Sequence, residues 1–313
     1  MLNFIIKRLL TSILVIIGVT IVIFSLVHMA PGDPVQMMAG LDAKEEDIEA
    51  LRAKMGMDKP LIVQYFNYVK GLLHLDLGKS IITNKNISDE IFFRFRNTAE
   101  LAVAGMLISS VFGIIIGIIA AVNRDRWLDK TLMSLSITGI SMPSFLLALL
   151  LMLLLVSQWY LLPASGREGS PFTAEGFKYI ILPALTLGIS GTASIARLTR
   201  SSVVAVLNEE FVMTLKAKGL RRKMILFKHI LRNASLPILT MIGLDFGYLL
   251  GGAVVTETIF AWPGIGKYAM DAISQNDFPA VQGSVLILSM MFMLINLVVD
   301  LLYGVLDPRV SLE

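Results

Sequence analysis

The chain has 313 residues, 55% hydrophobic and 16% charged, with a mean hydropathy of +0.74, which is too apolar for a soluble globular domain and points to a membrane protein. The absence of cysteine excludes disulfides, thiolate metal sites, cysteine nucleophiles and c-type haem, and fits either redox compartment. A net charge of +3 makes no case for nucleic acid, so what matters is where the 27 Lys and Arg residues lie.

A helix crossing ~30 Å of hydrocarbon needs about 20 mostly apolar residues. Six stretches qualify: 9–32, 101–123, 131–166, 179–196, 233–256 and 278–299. The third is long enough for a helix plus an uncharged turn, and the fifth is interrupted only by Asp245. The fold class is therefore all-α and polytopic, with six transmembrane helices. Lys7 and Arg8 ahead of the first stretch resemble the start of a cleaved signal peptide. The run is longer than such a segment needs and no small-residue cleavage pattern precedes Pro31, so residues 1–30 are expected to remain as the first helix.

Residues 31–98 form an expected external helical segment, longer than a connector requires. Asp42 is placed to cap a helix carrying Ile48, Leu51 and Met55 on one face, with Gly56 as its stop. Asp58 and Pro60 open a second, in which Leu61, Tyr65, Tyr68 and Leu72 recur at helical spacing. Core packing accounts for these tyrosines, and the segment reads as a cap or docking platform. Gly78, Lys79 and Ser80 imitate the end of a phosphate-binding loop, but Leu73 stands where its first glycine belongs. The chain is not expected to bind ATP.

The stretch 99–308 is the expected core, with a tail at 309–313. Within the fourth span, Gly188 to Gly191 spell GxSG, as in intramembrane serine proteases. Such a serine needs an imidazole base, and His28, His74 and His229 are scattered away from it, so glycine-mediated helix packing is the reading for Gly188 and Gly191. Three dispersed histidines make no metal site either. The chain reads as non-catalytic.

Residues 198–236 are basic and broken by Gly219, and read as two short amphipathic helices, 208–219 and 221–233. Phe211, Leu215 and Val212 form an apolar stripe on the first, which points to a protein partner. With the N-terminus placed in the cytoplasm, fifteen of the 27 Lys and Arg fall on the cytoplasmic side and the two short outer loops hold only Arg167, Lys178 and Lys267, so both termini are expected inside. In the fifth span Gly243, Gly247 and Gly251 make a small-residue stripe, while Asp245, Leu249, Gly252 and Thr256 share another face. An intramembrane carboxylate is costly unless it faces water, a partner or a cargo. Beyond that span, Trp262, Pro263 and Gly264 form a turn, or an interfacial aromatic anchor followed by a turn.

From end to end the motifs resemble one family: APGDP at 30–34, NTAEL at 97–101, SMPSF at 141–145, ARLTRSS at 196–202, AKGL at 217–220, HILRNASLP at 229–237, ETIFAWPGIG at 257–266 and LVVDLLYGVLDPR at 297–309. The chain is similar to the permeases of ABC importers for dipeptides, oligopeptides, glutathione and nickel. The resemblance implies a type I importer permease fold and a multi-pass subunit of the inner membrane. It further implies a coupling helix containing Glu209, Glu210, Phe211, Thr214, Ala217, Lys218 and Gly219, although Met213 and Leu215 replace the family's arginine and alanine. Implied partners are membrane lipid, a second homologous permease in a heterodimer, two ABC ATPases that use ATP and magnesium, and an extracytoplasmic substrate-binding protein. Ser141 and Met142 are assigned to the translocation pathway with Asp245, Leu249, Gly252 and Thr256, and the Trp262–Gly264 turn to binding-protein docking. Di- and oligopeptides are the expected cargo, with nickel, nickel chelates or glutathione as the alternative. A secondary transporter is disfavoured because no inverted repeat is found.

Overall fold

The computed structural model describes residues 2–29, 35–36 and 44–306, which contain helices and no strand beyond an isolated bridge between Lys79 and Asn86. Ala30 to Pro34, Asp42 and Arg309 lie outside the described residues. In chain order the helices are α1 (Leu2–Met29), α2 (Glu45–Met55), α3 (Leu61–Leu73), α4 (Ile87–Val122), α5 (Trp127–Ser141), α6 (Ser144–Gln158), α7 (Ala174–Leu207), α8 (Glu210–Ala217), α9 (Arg222–Ile259), α10 (Ile265–Ser274) and α11 (Phe278–Leu306). Lys44 occupies the N-cap of α2 without a side-chain hydrogen bond, and Gly56 stops that helix at φ 69° as expected.

Five helices, α1, α4, α7, α9 and α11, are long and apolar enough to cross a membrane. The charge-free stretch 131–166 does not hold one straight helix. It contains most of α5 and all of α6, bent by 106°, and counting that pair as one span restores six. The break follows from Pro143, which forces Met142 into extended backbone at φ −83°, ψ 123°. A second departure is at 221–233: no separate amphipathic helix forms there, because Arg222 already begins α9, through a π-helical turn at Ile225–Ile230.

The described chain divides into two compact units. One comprises Ala99–Trp262 and the residues from Leu294. Its centre is α7, which buries Leu187, Ile195 and Val203. The α4 and α7 backbones approach closely: a Cβ on Gly117 would lie 2.5 Å from that of Thr199, and one on Gly188 would lie 2.7 Å from Ile108 Cγ2. Glycine on both helices is what permits that approach, so Gly188 does pack helices.

The other unit comprises Leu2–Thr98 and Pro263–Met293, so 263–293 group with the first helix and the external segment. Side chains flanking the chain crossing explain the grouping: Asn97 Nδ2 donates to Pro263 O at 2.8 Å and Ile265 N donates to Thr98 Oγ1 at 2.9 Å. Asp277 accepts from Ser80 Oγ at 2.5 Å and Ile81 N at 3.1 Å, tying the 74–86 loop to the start of α11. Helix α3 lies on α1 through Tyr65, whose hydroxyl is 3.0 Å from Thr20 Oγ1, and through Phe24 against Tyr65 and Tyr68. These tyrosines serve packing, as the spacing suggested. Elsewhere α1 leaves Leu10, Leu14 and Leu26 exposed, as a hydrocarbon-facing helix does.

Candidate functional site

In the unit built on α7, the break between α5 and α6 opens onto a cavity of ≈ 750 Å³. Ser141, Met142 and Pro143 line it at the break, Ser190, Gly191 and Ser194 from α7, and Asp245, Tyr248, Leu249 and Gly252 from α9. Five of the six residues assigned to the pathway are thus brought together. Thr256 is not: it is buried, and its hydroxyl donates to Gly252 O at 3.4 Å. The wall is mostly apolar with scattered hydroxyls, and Asp245 is the only charged side chain among its described lining residues.

The Asp245 carboxylate is seated between three helices. A Cβ at Gly191 would overlap Asp245 Oδ2 and stand 2.9 Å from its Cγ and from Ser109 Cβ, so Gly191 leaves the space the carboxylate fills, with Ser109 of α4 beside it. Oδ2 is buried and has no hydrogen-bond partner among the described residues. Gly191 is therefore more than the packing glycine that GxSG suggested, and nothing in the spacing pointed to Ser109. Of the glycine stripe, Gly243 meets Val299 of α11, whereas a Cβ at Gly251 would meet nothing within 4 Å.

Helix α8 follows α7 after Asn208 and Glu209, whose backbone amides still donate to Ala205 O and Val206 O. Val212 is fully buried, and Phe211 and Leu215 are half-buried against the chain's own core around Val203 and Val206. The apolar stripe is therefore satisfied internally, and the open face is polar: Glu209, Glu210, Thr214, Ala217 and Lys218 are exposed, together with Met213. Gly219 closes the element at φ 75°, a left-handed turn that glycine adopts without strain.

Residues 113–312 match the family described as binding-protein-dependent transport system inner membrane component, and residues 1–102 match its N-terminal membrane component. The chain belongs to this permease family. The glutathione transport system permease protein GsiC of Salmonella choleraesuis (strain SC-B67) is 42% identical over 310 residues, covering 99% of both chains. The dipeptide transport system permease protein DppB of Escherichia coli (strain K12) is also 42% identical, over 335 residues and 99% of both. The fold is shared with the MetNI methionine ABC transporter in an inward-facing conformation, at TM-score 0.57 and 15% identity over 69% of this chain and 96% of that one. It is shared too with an amino acid ABC transporter solved with histidines, at TM-score 0.52 and 15% identity over 71% and 95%. The protein is a multi-pass inner membrane permease of an ABC importer, and its relatives are transport proteins rather than enzymes.

The permease does not present Trp262 to a partner. That ring is fully buried with Leu101, Ile180 and Leu249, and the Arg167 guanidinium lies 5.7 Å from its centroid. It is neither a docking surface nor an interfacial anchor. Gly264 is also buried, and Pro263 is half-buried with its carbonyl taken by Asn97. Sequence reasoning also passed over an ion pair between Asp129 and Arg200, although Arg200 belongs to the ARLTRSS element.

Proposed function

We propose that this chain is one of two homologous permease subunits of an ATP-driven importer that carries di- and oligopeptides or closely related solutes into the cytoplasm. The observation that carries the reading is full-length similarity, at equal identity, to permeases named for dipeptide and for glutathione transport. Those cargoes share a peptide backbone, which favours peptide-like solutes over nickel chelates. A loaded extracytoplasmic binding protein delivers the cargo, and two partner ATPases bind and hydrolyse ATP with magnesium. The exposed face of α8, from Glu209 to Gly219, docks on an ATPase, and both termini are cytoplasmic, in line with the excess of Lys and Arg on that side.

The cavity is this chain's share of the pathway, supported by its mixed apolar and hydroxyl lining beside a carboxylate whose Oδ2 has no hydrogen-bond partner among the described residues. A buried carboxylate without a counter-charge is costly, so Asp245 is a site for a cationic group of the cargo. Reconstitution with the partner subunits tests the whole: uptake of a dipeptide by vesicles should require ATP and the binding protein, and nucleotide-independent uptake would refute it. Because the chain has no native cysteine, Thr214→Cys should crosslink to a cysteine in the ATPase groove while Asp47→Cys should not.

A further inference from the structure

The ion pair between α5 and α7 is built more tightly than a surface salt bridge. Arg200 Nε donates to Asp129 Oδ1 and Nη2 to Oδ2, both at 2.6 Å, and the Asp125 amide donates to Oδ2 at 2.9 Å. The Asp129 side chain is 3% exposed and that of Arg200 28%. Asp129 lies in the first turn of α5, where the helix dipole favours a carboxylate, and the two parallel bonds fix angle as well as distance.

Its position along both helices is what gives it a role. Arg200 stands seven residues, about 10 Å, before the end of α7, which continues almost without slack into α8 through the Asn208 and Glu209 amide bonds. Val212 of α8 is buried in the same cluster as Val203 and Val206 of α7, so the two are packed against one core. From Asp129, α5 runs about 18 Å to Ser141 at the cavity wall. Near that far end α5 and α7 stay packed at Gly139, where a Cβ would stand in ordinary contact, 3.8 Å from Ile189 Cγ2 and 3.9 Å from Ala193 Cβ. That contact is apolar and undirected, whereas the fork at the other end fixes angle as well as distance.

We propose that Asp129 and Arg200 are a positioning pair that transmits displacement of the coupling helix, through α7, into α5 and so to the Ser141–Met142 wall of the cavity. The proposal rests on the reading of α8 as the ATPase-docking element. A passive staple would hold the fold equally well, and the readout that separates the two is cargo imported per ATP hydrolysed.

The test uses the full complex in vesicles with its loaded binding protein. Asp129→Asn, and Arg200→Lys, which keeps the charge but loses the fork, should both assemble and hydrolyse ATP within about twofold of the parent, while cargo per ATP falls about tenfold. An unchanged ratio in either variant, or uptake and hydrolysis falling in proportion, overturns the proposal. Failure of both variants to assemble also overturns it, by making the pair a folding staple. The Thr214→Cys crosslink is scored in parallel: its presence in parent and Asp129→Asn alike, with the ratio lowered, supports the joint. Its absence in the parent would sink the docking reading, and the joint with it.

Discussion

Adding one methyl group at Gly191 should reveal whether the Asp245 carboxylate occupies the seat between α4, α7 and α9. In Gly191→Ala the new Cβ would overlap Asp245 Oδ2 and stand 2.9 Å from Cγ and from Ser109 Cβ. Carbon atoms in ordinary contact are about 3.5–4.0 Å apart, so both are more than half an ångström too close. Overpacking of this kind costs about 1–3 kcal/mol, lowering the thermal midpoint of the solubilised permease by several degrees. The closest overlap is with the carboxylate, so the cost should fall when Gly191→Ala is made on top of Asp245→Ala, leaving only the contact with Ser109 Cβ. Asp245→Ala alone should be near neutral, since it removes a buried acid whose Oδ2 has no hydrogen-bond partner among the described residues. The double-mutant cycle should therefore return a coupling energy of about 1–2 kcal/mol. Additive effects would mean that the carboxylate does not sit against Gly191, and the account of the site would fail.

Replacing Asp245 by Asn should lower uptake of a lysine-containing dipeptide on the order of tenfold more than that of a neutral one, measured on the assembled complex; equal loss for both would count against a cation site. Trp262→Ala should destabilise the permease by about 3–5 kcal/mol, seen as loss of folded protein, while any complex that survives still binds the loaded binding protein. Burial pushes the Tyr68 phenol up to about 12, with Tyr65 adding to it, and burial does the same at Tyr268 with help from Asp277 and Glu90. The unfolded phenols, near 10, release their protons first, so stability should hold up to about pH 10 and fall between about pH 10 and 12. Tyr68→Phe should flatten that fall in thermal midpoint series, because it removes the titrating phenol, whose buried hydroxyl has no hydrogen-bond partner among the described residues to lose.

The spans were legible because hydrocarbon thickness sets their length, and the bend at Met142 could be traced to Pro143 once the structure located it. The helical period correctly put Asp245, Leu249 and Gly252 on one cavity-facing strip. It failed at Thr256, because a strip of constant period follows the helix past the cavity's edge into buried packing. For α8 the spacing gave the right element and the wrong partner: an apolar stripe reports that something covers it, and Val203 and Val206 of the same chain do so. Trp262 misled for a related reason, since a tryptophan beside a Pro-Gly turn has the same composition whether its ring points inward or outward. Ser109 and Asp129 were invisible because their partners lie far away in the chain, where local spacing carries no information.

The π-helical turn at Ile225–Ile230 imposes a rule on how this stretch of chain can drift in length. Each residue gained or lost inside a helix swings everything beyond it by about 100° around the axis, and a π turn is where one surplus residue has been absorbed without breaking the helix. Between Arg222, where α9 begins, and Asp245, which must meet Gly191, the chain is helical throughout, with no loop in which an insertion or deletion could be hidden. Removing one residue from the π turn would leave a regular helix of sound local geometry that points its acid away from its seat. The interval from arginine to aspartate is thus counted rather than merely spanned, and substitution is the freer route for change within it.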